Sequence, residues 1–235
     1  MFLRARWFNG CMSSPLVLST NIAVVRENAA GTYSHTGIDK VTVESISVSA
    51  PGPKYGDGSG VAGDFIGDDK HHGGADKAVY AFSREELDFW AQELGRPLPD
   101  GSFGENLTTQ GIDLAQLIIN QRVRIGTTVL EVSVPRSPCA TFAAWLDEKG
   151  WVKTFTHRGD CGAYFRVITP GDISPGDKLI PEEAPAHGVT MAEAFAVKMG
   201  GKDKLAKVVN AHCLPGHHHE QLANRLEREK AKASR

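Results

Sequence analysis

The sequence predicts a mainly β protein, a barrel or sandwich of short strands with a small helical module behind it. Three observations predict this. Short apolar or alternating runs separated by Gly and Pro recur from residue 16 to residue 182. One amphipathic helical pattern interrupts them, and after Pro185 the pattern is helical only. At 235 residues the chain is long enough for one large domain and an appendage. The expected division is an N-terminal extension at 1–15, a β-barrel domain at 16–182 and a three-helix module at 188–235.

The strands are read in order. PLVLSTNIAVV (15–25), VTVESISV (41–48) and KAVYAF (77–82) are the first three. RVRIGTTVLEVSV (122–134) reads as a hairpin turning at Gly126. On its second arm Leu130, Val132 and Val134 alternate with Glu131 and Ser133, the period of a half-buried strand. AYFRVI (163–168) and KLI (178–180) close the series, with SPGDKL (174–179) as turn chemistry leading into the last strand.

The interrupting helix, SREELDFWAQELG (83–95), has Ser83 as N-cap, Glu86 in capping-box position and Gly95 as its stop. Leu87, Trp90, Ala91 and Leu94 share one face. A shorter helix is expected over TFAAWLDEKG (141–150). Three more are expected at 189–201, opening on a Thr190–Glu193 capping box, at 202–213 and at 217–235.

Composition narrows the function classes. With 41% hydrophobic and 23% charged residues, the chain is an ordinary globular one. A net charge of −2 gives no general basic surface for nucleic acid. No apolar run approaches the ~20 residues that cross a bilayer. Cys11, Cys139, Cys161 and Cys213 are far apart and form no C-x-x-C, which fits neither a disulfide framework nor a zinc knuckle. A reducing cytoplasm is the expected setting. The opening stretch carries Arg4 and Arg6, but Asn9, Gly10 and Ser13 break its apolar run. It is read as a frayed extension, with Met12 as an alternative start, and not as a signal peptide.

Four stretches carry chemistry. In SVPRSPCATF (133–142), Pro135 and Pro138 stiffen a turn that presents Cys139 just before a helix, with Arg136 three residues earlier. Cations and helix N-termini favour the thiolate, the form that acts as nucleophile or metal ligand. On local sequence the alternative stays open: a buried cysteine serving as a small apolar residue. In DDKHHGGADKAVYAF (68–82), Gly73 and Gly74 permit a backbone nest for an anion, with Lys70 and Lys77 adding charge, and a Gly-rich hairpin with solvated histidines explains the same residues. In GSFGENLTTQG (101–111), Phe103 anchors a turn that presents Glu105 and Asn106, and an ordinary turn into a strand is the plain alternative. AHCLPGHHHEQ (211–221) gathers His212, Cys213, His217, His218 and His219. Pro215 and Gly216 mark a helix–helix turn there, so a solvated first turn of the last helix is expected rather than a metal site.

Taken together, four segments in this order resemble the MOSC family, the domain type at the C-terminus of molybdenum-cofactor sulfurases. They are GVAGDFIGDDKHHGGADKAVYAF, PDGSFGENLTTQGI, RVRIGTTVLEVSVPRSPC and GAYFRVITPGDISPGDKL. The helical C-terminus is similar to the module of the bacterial branch linked to resistance against N-hydroxylated purines. The resemblance implies a β-barrel-like fold of the kind of the pyruvate kinase β-barrel domain. It also implies a molybdenum cofactor (molybdopterin), with Cys139 as metal ligand and catalytic residue. The pterin and its phosphate would lie against His72, Gly73, Gly74, Glu105, Asn106, Arg136 and Ser137, with Lys77, Tyr164 and Arg166 as further candidates. A soft thiolate suits a transition metal, and an Arg suits phosphate. The family's Leu-Pro-then-Trp start of the last helix is replaced here by LPGHHHEQL, residues 26–40 match only at TGIDK, and Cys161 is given no role.

The function this implies is an oxidoreductase that reduces N-hydroxylated compounds, hydroxylaminopurine-type bases among them, to amines, a detoxification. Its partners are a small-molecule N-hydroxylated substrate and a separate electron-donating reductase, since the chain shows no flavin, haem or iron–sulfur signature. No nucleic acid and no membrane is expected, and the oligomeric state stays open, a homodimer included. The alternatives are a molybdenum cofactor or sulfur carrier without turnover, a metal-free thiol hydrolase using Cys139 with His72 as base, and an interaction module built on the C-terminal helices.

Overall fold

The computed structural model describes residues 14–233, so Cys11, Met12 and nearly all of the expected 1–15 extension lie outside the described residues. The chain runs β1 (Leu16–Ala23), β2 (Arg26–Glu27), β3 (His35–Thr36), β4 (Lys40–Val43), β5 (Ile46–Val48), β6 (Val79–Ser83), α1 (Arg84–Leu94), β7 (Leu107–Gln110), β8 (Arg122–Ile125) and β9 (Thr128–Val132). It continues as α2 (Ala140–Leu146), α3 (Trp151–Arg158), β10 (Ala163–Thr169), β11 (Gly171–Ile173), β12 (Leu179–Pro181), α4 (Met191–Lys198), α5 (Leu205–Asn210) and α6 (Gly216–Ala233).

The fold is mainly β. Eight strands form one curled sheet in the order β12–β8–β9–β10–β6–β7–β1–β4. Leu16 of β1 bridges Lys178 beside β12, and Leu179 donates to the Pro15 carbonyl, so one edge of the sheet curls back onto β1. This return satisfies edge groups that would otherwise recruit another chain. β6 and β7 pair in parallel, and α1 is the crossover this requires; the other strand pairs are antiparallel.

Local chemistry explains where elements start and stop. Ser83 Oγ accepts from the Glu86 amide, and Gly95 closes α1 in the left-handed region at φ 63°. The Glu86 carboxylate turns away from the helix start and pairs with Arg158 of α3, so only half of the expected capping box forms. At α4 both halves form, between Thr190 and Glu193. The expected single strand over 41–48 breaks after Val43: β4 pairs with β1 while β5 pairs with β11. The expected helix over 141–150 is also shorter. Asp147 at φ 52° ends α2, and a further helix, α3, begins after Gly150.

That extra helix completes the core. Trp151 and Phe155, one turn apart on α3, meet Phe142 of α2, Phe82 of β6 and Phe103 of the crossover loop, all essentially inaccessible. Ring centroids lie 4.9 Å apart for Phe82–Phe103 and Phe103–Phe142, and 5.2 Å for Phe142–Trp151. The last two pairs are edge-to-face, and such pairs add about 0.5–1.5 kcal/mol each beyond area burial. The cluster fastens α2 to the sheet and so fixes the turn before it. Phe155→Ala empties the centre of this cluster. It is expected to cost about 3–5 kcal/mol in urea unfolding, and a loss below about 1 kcal/mol would show that the site collapses freely.

Candidate functional site

Strand β9 ends at Val132, yet Ser133 still donates to the Tyr164 carbonyl at 2.9 Å and Tyr164 to Val134 at 3.3 Å. The turn therefore leaves the sheet only at Pro135. From there the chain reaches Cys139, which is half-buried, extended (φ −128°, ψ 173°) and the N-cap of α2. Its side chain lines an open cleft with a volume of about 110 Å³.

Arg136, 6% exposed, forms the floor. Its guanidinium carbon lies 3.8 Å from the centroid of the Phe142 ring and 5.0 Å from that of Tyr80. Nη1 donates to the Phe103 carbonyl and, at 3.4 Å, to the Tyr80 hydroxyl. Among the described residues no carboxylate forms an ion pair with it, which is unusual for a buried guanidinium. Lys77 lines the same cleft from the start of β6. It too lacks a carboxylate, donating instead to the His71 carbonyl. Burial, with the charge of Lys198 behind it, holds its ammonium down at about 8.

These charges act on their neighbours. Burial pushes His72 down to about 3, and Lys77 and Arg136 push it the same way. Its ring stands 3.4 Å from the Tyr164 hydroxyl, whose own pKa burial pushes up to about 12. At neutral pH the wall thus holds a neutral imidazole, a protonated phenol and two cations. Across the cleft Asp64 is neutralised by Lys40 at 2.7 Å and further bonded by the Asn106 amide at 2.8 Å and the Ala23 amide at 2.8 Å. The β2–β3 hairpin adds Tyr33, whose hydroxyl meets the Thr141 hydroxyl of α2 at 2.8 Å.

The cleft gathers Cys139, His72, Gly73, Lys77, Asn106, Arg136 and Tyr164 from the expected set. It leaves out four. Glu105 is fully buried, and its carboxylate ties the crossover loop by accepting from Gly101 and Phe103 amides and the Thr108 hydroxyl; burial pushes it up to about 7. Arg166 is taken by Asp76 at 2.6 Å and Glu131 at 3.0 Å. Ser137 is half-buried outside the lining, and Gly74 packs against another loop. The nest expected at Gly73 and Gly74 is corrected by the hydrogen bonds. The Gly74 amide already donates to Gly58 and the Ala75 amide to Gly52. A Cβ on Gly74 would strike the Lys54 carbonyl, so this glycine serves loop-on-loop packing.

Sequence reasoning passed over Lys40, Asp64 and Tyr33. The first two stand in the family-like segments TGIDK and GVAGDF and were legible there as a charge pair; Tyr33 lies in a loop with no pattern of its own. The histidines at 212 and 217–219 do not gather into a metal site: among the described residues no three His, Cys, Asp or Glu side chains converge to hold a metal ion. No helix among the described residues is long and apolar enough to cross a membrane.

Comparison with known proteins agrees with this geometry. Residues 68–180 match the model of the MOSC domain. The chain is 40% identical over 117 residues to the uncharacterized protein YflK of Bacillus subtilis (strain 168), covering 50% of this chain and 53% of that one. It is 32% identical over 139 residues to a protein named Reductase from Gibberella moniliformis (strain M3125 / FGSC 7600), covering 57% of this chain and 24% of that one. The matches thus span about half and a quarter of these relatives' lengths. The crystal structure of YiiM from Geobacillus stearothermophilus superposes with a TM-score of 0.71 at 25% identity, covering 90% of this chain and 99% of that one. By domain match residues 68–180 carry a MOSC domain, and the fold of the described residues agrees with that match.

Proposed function

We propose that this protein is a molybdenum-cofactor-dependent oxidoreductase that reduces N-hydroxylated compounds, of the hydroxylaminopurine type, to amines. The observation that carries this is a half-buried thiol, Cys139, in a cleft where buried Arg136 and half-buried Lys77 have no carboxylate partner among the described residues. The residues fit the group. A soft thiolate is a suitable single ligand for a metal that arrives with its own chelate, and two unpaired cations suit the phosphate of a pterin. A relative named Reductase agrees with the reaction class.

When bound, the cofactor supplies two-electron chemistry: N–OH plus two electrons and two protons gives N–H and water, the electrons coming from a separate reductase. The chain's own residues bind and orient. Cys139 would hold the metal. Arg136, pinned by the Phe103 carbonyl and two rings, offers its remaining N–H groups in a fixed direction. Lys77 adds charge that is present below about pH 8 and lost above it. The Asn106–Asp64–Lys40 network is internally satisfied and serves as rigid wall. His72, neutral down to about pH 3, is a poor general base for a thiol hydrolase.

Elemental analysis of protein from molybdate-fed cells tests the ligand. The wild type is expected to carry molybdenum near one per chain and Cys139→Ala to lose most of it. Equal content in both would remove Cys139 from the metal. Reduction of an N-hydroxylated base by the loaded wild type with an artificial donor is expected, whereas a carrier would hold molybdenum and reduce nothing. Retention of molybdenum through gel filtration is expected to fall as pH rises through about 8, because Lys77 loses its proton there. Lys77→Arg is expected to abolish that dependence, and retention that is flat from pH 7 to 9 in the wild type would contradict the charge assigned to Lys77.

A further inference from the structure

We infer that the first turn of α6 is wired to the cleft: His217 and His218 fix Tyr55, and Tyr55 holds the Lys77 ammonium at the cleft wall. These three are positioning residues, and the inference rests on the cleft taking an anionic group, as proposed above.

The contacts form a chain. The Tyr55 hydroxyl lies 3.1 Å from His217 Nε2 and 3.0 Å from His218 Nε2, across 162 and 163 positions of sequence. The His217 ring meets the Tyr55 ring edge-on at 5.1 Å. A hydroxyl carries one proton, so it donates to one imidazole and accepts from the other. His218 is the more buried of the two. Burial, then the charges of Lys198, His217 and Lys77, push it down to about 3, so it is neutral. Either tautomer of the neutral His218 serves, with His217 taking the complementary role. Both hydrogen bonds of the phenol therefore go to α6.

Lys77 lies beside the same ring. Its Nζ lies 4.5 Å from the Tyr55 centroid and 5.7 Å from that of Tyr164. Ring faces attract an ammonium by about 0.5–2 kcal/mol and leave its charge uncancelled. The nearest other charges are Lys198, Asp68, Asp76 and the Cys139 thiol, none of which forms an ion pair with it among the described residues. The Tyr55 loop cannot drift from the glycine segment beneath it. The Gly56 amide donates to the His72 carbonyl at 2.9 Å and the Ala75 amide to Gly52 at 2.9 Å. So the helices that follow the sheet act on a cation in the cleft through one phenol, beside the hydrogen bond that Lys77 donates to the His71 carbonyl.

The test reads Lys77 directly in the full-length chain without cofactor. Lysines are reductively ¹³C-methylated, the Lys77 resonance is assigned with Lys77→Arg, and its titration midpoint is followed by NMR. Tyr55→Phe keeps the ring and loses the link. It is expected to let the ammonium reach solvent and raise the midpoint towards that of the exposed lysines. The pair His217→Ala with His218→Ala is expected to raise it by the same amount, and the triple variant no further, the non-additivity of a single path. His218→Gln, whose amide can accept or donate, is expected to keep the wild-type midpoint, and it decides the matter where the alanine pair does not fold. An unchanged midpoint in Tyr55→Phe, an additive triple variant, or a His218→Gln shift as large as that of Tyr55→Phe would overturn the inference. Molybdenum content of the wild type is measured separately, so an empty wild type counts against the cofactor reading and leaves the Lys77 result standing.

Discussion

The site depends on one buried guanidinium with no acid beside it. Removing a charge from water costs several kcal/mol unless partners replace the solvent. Arg136 finds a carbonyl, a phenol and two aromatic faces, which orient it without cancelling its charge. A carboxylate in their place would have made a closed, inert pair. The cleft keeps an unmet electrostatic demand, which the anionic ligand proposed above would meet.

Everything around Arg136 serves that placement. Phe103 supplies the carbonyl because Glu105 ties its loop from beneath, and Phe142 supplies the ring because α3 presses α2 onto the sheet. The same two helices and the same loop hold Cys139, since the turn from Pro135 to Cys139 is anchored at one end by β10 and at the other by the α2 cap. Packing in the aromatic cluster is thus a condition of the chemistry: it sets the spacing between a thiol and a cation that lie three residues apart.

Much of this was legible in the sequence, and the failures have physical causes. Period-2 alternation found the β8–β9 hairpin, and capping residues found α1 and α4, because both signals are local. The split of 41–48 was hidden because the break at Glu44–Ser45 is made by strands far away in sequence competing for the two halves. α3 was hidden behind Gly150, a stop signal that served equally as a start. At the site, the cleft gathers seven of the expected residues, and others are used elsewhere. Glu105 and Arg166 are charged residues in family-like motifs, yet local hydrogen bonds and ion pairs use them up. Burial and partner choice decide such roles, and neither is written in the spacing.

The two cations of the cleft also bear on the choice among chemistries. A thiol hydrolase needs a base near neutrality beside its nucleophile. His72 is the imidazole that lines the cleft with Cys139, and Lys77 and Arg136, which draw an anion in, are among the charges that strip its proton affinity. A wall that favours an anion therefore disfavours an imidazolium, which weighs against His72 as the hydrolase's base. The proposed bonding of Cys139 to a metal whose negative chelate the wall accepts is a reading with which thiol, cations and neutral imidazole agree.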